Sequence, residues 1–197
     1  MDSSIEALEG IFSDYLILKK LPRTGWKLRG ISTPESIADH CFGVTFLTML
    51  ISDWVKRFHK EREFDPLKAL KMALIHEIGE CRIGDIPFPA LKYFPSKSEG
   101  EKSAVKDIFS QLPDMGSHYI ELFCEFEDSN TTEAKFVKAI DKLEMLITAA
   151  EYERIGFRSV SDFWENAKTF ETFKEFPEID LIAQRLLYNH NQSCKSL

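Results

Sequence analysis

The sequence predicts an all-α protein, a bundle of amphipathic helices with no sheet. Two observations carry this. Apolar residues recur every three or four positions along almost the whole chain, and no segment sustains the alternation of apolar and polar residues that marks a half-buried strand. The breaks between the periodic stretches carry the chemistry of helix ends: Asp65-Pro66, Ser98 with Glu101, Asn130 with Glu133, Gly156 and Pro177.

Ile5, Leu8, Ile11, Phe12, Tyr15 and Leu18 form the stripe of a first helix. It ends before Leu21-Pro22, since proline lacks an N–H and disfavours helical geometry in the residue before it. Residues 23–34 are rich in Gly, Thr and Ser and read as a loop. A second helix starts near Glu35 and should turn Val44, Leu47, Leu50, Ile51, Trp54 and Val55 inward. Asp65 as cap and Pro66 at the first helical position open a third, expected to run to about Arg82, where Gly84, Pro87 and Pro89 begin a loop. The two capping-box spacings place helix starts near Glu99 and Thr131, with a short helix over Gly116 to Phe126 between them. The long helix from Thr131 should bury Phe136, Val137, Ile140, Leu143, Ile147 and Ala150 before Gly156 stops it. Ser161 to Phe173 and Glu178 to Asn189 complete the set.

With 44% apolar residues in 197, the chain can bury one sizeable core, and a single domain over residues 1–197 is expected. The 25 Lys and Arg against 32 Asp and Glu give a net charge of -7, which disfavours a nucleic-acid polymer as partner and leaves room for a small anion at one local site. Cysteines 41, 81, 124 and 194 form no C-x-x-C pair and are expected to be reduced thiols in a cytoplasmic protein. The start Met-Asp-Ser-Ser-Ile-Glu carries acid where a secretory signal carries base, so export is not expected. Val44 to Ile51, the most apolar run, is broken by Thr45 and Thr48 and falls far short of the ~20 residues that span a bilayer.

Chemistry concentrates in His76-Glu77-Ile78-Gly79-Glu80, three ionisable side chains at the end of an apolar helix. On a helix His76 and Glu80 share a face, and His76 and Glu77 can reach a common point beside it. The zinc-protease pattern H-E-x-x-H fails, because position 80 is Glu. In the plainest reading, His76 is a half-buried histidine and the two glutamates are solvated. Two further positions bear on the choice: His40 at the start of the second helix, and Asp141 between Ile140 and Leu143 in the apolar part of the long one. A carboxylate placed there needs a partner, either a divalent cation or a lysine such as Lys138 or Lys142.

Together these residues resemble the HD-domain metal-dependent phosphohydrolases, whose signature is H…HD…D on separate stretches of a helical bundle, and most closely the HD-domain 5′-deoxynucleotidases. The anchors are Pro22 to Trp26, Pro34 to His40, His76 to Cys81, Gly84 to Pro87, and Asp141 to Met145 with Glu151 to Glu153. The resemblance implies an HD-domain-like fold and one divalent transition metal ion (Mn, Co, Fe, Ni or Zn), held by His40, His76, Glu77 and Asp141. A mixed nitrogen and oxygen donor set suits these ions better than calcium. Position 77 is Glu where the family has Asp, so the carboxylate is kept on a longer arm. The resemblance assigns Glu80 to catalysis and Asp85 to the sugar hydroxyl, whereas Asp before Ile-Pro alone would make a turn. The family's phosphate-binding arginine falls near Gly25, which leaves Arg23 as its substitute. Trp26 either stacks on a base or packs beneath the loop.

The implied activity is removal of the 5′-phosphate of deoxyribonucleoside monophosphates. The alternatives are another nucleotide phosphoester as substrate, or a weakened helical regulatory protein. Related proteins form homodimers, and a homodimer is the expected assembly. His59, His118 and His190 are given no role, and Trp54 and Trp164 are read as core or interface residues.

Overall fold

The computed structural model describes residues 2–59, 63–112 and 114–195. Among the described residues ten α-helices follow one another: α1 (Asp2–Leu18), α2 (Thr24–Lys27), α3 (Ile37–Phe58), α4 (Pro66–Ile75), α5 (Glu80–Ile83), α6 (Lys97–Phe109), α7 (Gly116–Asp128), α8 (Thr132–Arg154), α9 (Ala167–Phe173) and α10 (Pro177–Lys195). Among the described residues there is no strand, only an isolated antiparallel bridge between Pro22 and Ser36. The all-α expectation holds. No described helix is long and apolar enough to cross a membrane.

Helix α3 starts where Ser36 and Asp39 form a reciprocal capping box: the Asp39 N–H donates to Ser36 Oγ at 3.1 Å and the Ser36 N–H to Asp39 Oδ2 at 2.8 Å. The next residue is His40, so the cap fixes its place in the first turn. Asp65 caps α4 through the N–H groups of Leu67 and Lys68, with Pro66 at the first position.

Helices α3, α4 and α8 form the centre of the main core, with Val44, Ile51 and Val55 facing Ala69, Met72 and Ala73 and, on α8, Phe136, Val137, Ile140 and Leu143. The alanines on α4 let its backbone approach both neighbours. A second apolar cluster joins Ala7 and Leu18 to Ile37, Cys41, Ile78, Cys81, Val105, Ile108 and Phe109. Along α3 the side chains of Ile37 and Cys41 enter one cluster and Val44 the other. His40 therefore lies at the seam between them, and His76 lies there too, between Ala73 and Ile78.

Several boundaries differ from the sequence expectation. The third helix stops at Ile75 instead of running to Arg82: residues 76–79 form turns with i→i+3 bonds, including Ile78 N–H to Ile75 O and Glu80 N–H to Glu77 O, before α5 resumes. Helix α6 is the cause, since a Cβ on Gly79 would lie 3.1 Å from the Glu101 carbonyl oxygen. Ser98 does not cap α6; its hydroxyl donates to Glu127, and the helix begins at Lys97. The cap of α8 is Thr131, which accepts the Ala134 N–H, while Glu133 accepts the Asp65 N–H. The stretch from Ser161 to Phe173 is a short 3-10 turn, then α9 with Asn166 as cap. Leu50 and Trp54, expected inward, are 48% and 46% exposed, and Ile147 also reaches solvent. Trp164 is buried. Cys41, Cys81 and Cys124 are free thiols, and the Cys194 side chain lies outside the described residues.

Candidate metal centre

The imidazoles of His40 and His76, 0% and 4% exposed, converge from α3 and the end of α4 with their Nε2 atoms 3.4 Å apart. Asp141 on α8 brings Oδ1 to 3.2 Å from His40 Nε2. Glu77 Oε1 lies 4.0 Å from His40 Nε2 and 3.9 Å from His76 Nε2. Donor atoms of His40, His76 and Glu77 all lie within 4.8 Å of one another, so these three could hold a divalent cation, and Asp141 adjoins them through its contact with His40. Arg23 Nη1 donates to the same Glu77 oxygen at 3.1 Å.

The groups behind the imidazoles strengthen this fit. His40 Nδ1–H donates to Glu144 Oε2 at 2.6 Å, and His76 Nδ1–H donates to the Ala73 carbonyl at 2.8 Å. With both Nδ1 atoms committed as donors, each ring turns its Nε2 to the common point. This is the carboxylate or carbonyl backing that metal-bound histidines carry. Thr148 Oγ1 donates to the other Glu144 oxygen at 3.1 Å. Gly43 leaves the space for this carboxylate, since a Cβ there would lie 2.7 Å from Glu144 Oε1. Sequence reasoning used Glu144 only as part of a motif and gave it no role. Its signal was an acidic residue three positions after Asp141 on the same apolar face.

Electrostatics follow from burial and these contacts. Burial works against a charge on His40, but Asp141 and Glu144, one on each ring nitrogen, outweigh it and raise its pKa to about 9. A group so placed holds a cation, whether proton or metal. Burial and the nearby His40 lower the pKa of His76, which favours the neutral imidazole a metal needs. Burial acts to raise Asp141, yet Lys142 and His40 hold it well below the usual carboxylate range. Lys142 Nζ meets Asp141 Oδ2 at 2.9 Å, so the lysine partner and the imidazole partner coexist, one on each oxygen.

His76 opens onto a cavity of about 650 Å³ whose lining includes Arg23, Glu80, Asp85, Lys97, Asp141 and Phe94. Glu80 is 1% exposed; burial, with the charges of Glu77 and Asp85, pushes its pKa up to about 9. Asp85 accepts the Thr24 N–H on Oδ2 at 2.5 Å, which ties the substrate-side loop to the end of α5. Trp26 lies in the cavity wall and is 3% exposed; it packs against Tyr152 and Phe163 and donates Nε1–H to Glu35 at 2.8 Å. Seven of the eight residues singled out in the sequence thus line one cavity, and His40 lies buried behind it, in contact with His76 and Asp141. The other paired histidines lie elsewhere: His59 pairs with Glu178 at 2.8 Å, and His190 pairs with Glu153 at 2.9 Å.

The chain is 42% identical over 153 residues to the 5′-deoxynucleotidase hdd1 of Schizosaccharomyces pombe, covering 74% of this chain and 73% of that protein. It is 36% identical over 152 residues to the 5′-deoxynucleotidase HDDC2 of Homo sapiens, covering 76% and 71%. A solved structure of a conserved hypothetical protein from Pyrococcus furiosus superposes with a TM-score of 0.76 at 37% identity, covering 92% of this chain and 98% of that one. The family model described as HD domain matches residues 17–191, and the chain belongs to that family.

Proposed function

We propose that this protein is a divalent-metal-dependent phosphohydrolase that removes the 5′-phosphate from deoxyribonucleoside monophosphates. The observation that carries the reading is the gathering of donor atoms of His40, His76 and Glu77 within 4.8 Å of one another, with Asp141 Oδ1 3.2 Å from His40 Nε2, beside a cavity lined by Glu80. The substrate class is the one in the names of the human and S. pombe relatives.

His40, His76, Glu77 and Asp141 would hold the ion. When bound, it supplies positive charge to the phosphoryl oxygens and lowers the pKa of a water, which gives a nucleophile near neutral pH. The remaining steps belong to side chains. Glu80, kept protonated at neutral pH by its burial, donates its proton to the departing 5′-oxygen. Arg23 has further N–H donors beyond the one on Glu77 and presents them to the phosphoryl oxygens. Asp85 Oδ1 accepts from a sugar hydroxyl while Oδ2 holds the loop. Phe88, Leu91 and Phe94 offer the base an apolar wall.

The test is release of inorganic phosphate from a deoxynucleoside monophosphate by chelator-stripped protein. Addition of manganese or cobalt should restore it, and Glu80→Ala should abolish it at unchanged helicity. Release that continues in excess chelator would overturn the reading. The chain is further proposed to act as one HD-type unit, as a homodimer, in the cytoplasm. Support for the compartment comes from free Cys41, Cys81 and Cys124, and for the assembly from the aromatic face of α3 taken up in the Discussion.

A further inference from the structure

Four cations of the cavity lining are each paired with a carboxylate. Arg23 meets Glu77 at 3.1 Å, Lys97 meets Glu80 and Glu101 at 3.2 and 2.6 Å, and Lys142 meets Asp141 at 2.9 Å, so these three serve acids at or beside the metal centre. Arg29 departs from this pattern. Its partner, Asp162, comes 133 residues later in the chain and lies outside the cavity lining. A cavity cation spent on an acid away from the site acts by holding something in place.

The contact is built for geometry. Arg29 Nε and Nη2 donate to the two Asp162 carboxylate oxygens at 3.0 and 2.5 Å, and Nη1 donates to the Gly25 carbonyl at 2.8 Å. The guanidinium carbon stands 4.3 Å from the centre of the Phe163 ring, and the Ser159 hydroxyl donates to the Arg29 carbonyl. A single half-exposed ion pair is worth little, but a two-pronged fork that also stacks on a ring fixes distance and orientation together. The loop over residues 23–31 needs this, since α2 is one turn long and Arg23 gives it no side-chain cap. The loop is held from two sides. On the metal side, Asp85 accepts the Thr24 N–H at 2.5 Å and Glu77 accepts from Arg23. On the outer side, Arg29 grips Asp162, and Trp26 packs on Phe163 with ring centres 4.5 Å apart. Arg23, Gly25, Trp26 and Phe163 all face the cavity.

We propose that Arg29 is a positioning residue for the substrate: clasped to Asp162 and Phe163, it holds the loop in the arrangement in which Arg23 presents its donors to the phosphoryl group and Trp26 with Phe163 forms the cavity wall. The inference rests on the substrate role given to Arg23 above and acts through that residue. Fixing the loop beforehand removes the cost of ordering it when substrate binds, and the gain is read in KM.

Steady-state kinetics on a deoxynucleoside monophosphate at saturating manganese test it. Arg29→Lys keeps the charge and loses the fork; Asp162→Asn keeps the shape and loses the charge-assisted bonds. Each should raise KM roughly tenfold, the scale of one charge-assisted hydrogen bond, with kcat within about threefold because the metal ligands and Glu80 lie on other elements. The double variant should be no worse than either single one, since both remove the same clasp. Trypsin supplies a readout free of activity: cleavage after Arg23 or Lys27, sites that all these chains retain, should be roughly tenfold faster in each variant at unchanged helicity. If Arg29→Lys fails to fold, Asp162→Asn, at a side chain 55% exposed, carries the test. Unchanged KM, additive losses in the double variant, a fall in kcat alone, or loop cleavage no faster than in the wild-type chain overturns the proposal. A wild-type chain that hydrolyses no deoxynucleoside monophosphate overturns the proposed function itself, whereas an active chain indifferent to these variants overturns the positioning role alone.

Discussion

Glu144 illustrates how a residue without contact to substrate can govern the centre. Its carboxylate holds His40 Nδ1–H at 2.6 Å, so its loss frees the ring to rotate and removes the charge that makes Nε2 a better donor. Glu144→Gln should weaken manganese binding roughly 10–100-fold, as loss of such backing groups does elsewhere. Gly43→Ala should do the same with no polar group removed, since the new Cβ would displace Glu144 Oε1 from 2.7 Å. Calorimetric metal titration of both variants checks this, and unchanged affinity in either would refute the role. The pH behaviour of the metal-free protein follows from His40 and Glu80. Both pKa values are raised by the fold, to about 9 in each case, so both groups contribute stability when protonated. That stability is full below the ordinary values of 6.5 and 4.5 and is lost as pH rises through about 9. In chelator, the melting temperature should fall between pH 6.5 and 9, read by circular dichroism; a rise across that window would contradict the assignment. The ligand types were legible in the sequence because imidazole and carboxylate at apolar helix positions are costly without a partner. Glu144, Lys97 and Glu101 were not legible, because which carboxylate faces which cation is decided by helices distant in sequence.

At the level of the elements, the site depends on two irregular places, one anticipated by the sequence and one not. The anticipated one is the start of α3, expected near Glu35 and found at Ile37, where Ser36 and Asp39 form the cap. Ser36→Ala should cost about 1 kcal/mol, the usual value of such a cap, and loosen the turn that carries His40. The check is a denaturant midpoint shift at constant slope, with metal affinity measured alongside. The unanticipated one is the turn over residues 76–79. Spacing alone read His76 and Glu80 as neighbours on one continuous helix. The chain instead leaves the helix at His76, where α6 crosses so close that a Cβ on Gly79 would lie 3.1 Å from the Glu101 carbonyl oxygen. That break lets His76 point to His40, Glu77 to both imidazoles and to Arg23, and Glu80 to Lys97. Helix existence and most starts were legible from periodicity and caps. The break was not, since its cause is the α6 backbone about two dozen residues later.

For the molecule as a whole, α3 carries two opposed faces. One holds His40 and the buried Val44, Ile51 and Val55, while the other exposes Phe42, Phe46, Met49, Leu50, Trp54 and Phe58, with Phe42 71% exposed. Phe42 and Phe46 stack along the helix at 6.1 Å, and Trp54 lies 5.3 Å from Phe58, so the exposed side is a continuous stripe of rings. Contiguous apolar surface of this kind marks an association site, and a closed two-fold dimer uses the same patch from both copies. Each large side chain covered is worth about 1.5–3 kcal/mol, so a charge placed in the stripe acts twice in one interface. Sedimentation equilibrium should find the wild-type chain dimeric and Phe46→Glu with Leu50→Glu monomeric. Because these positions lie opposite His40, the monomer should still bind one manganese ion with little loss of affinity. A wild-type chain that sediments as a monomer would exclude the assembly, and a dimer untouched by the two charges would move the interface away from α3. Loss of metal binding on dissociation would instead mean that the second copy supports the centre, contrary to the separation of the two faces.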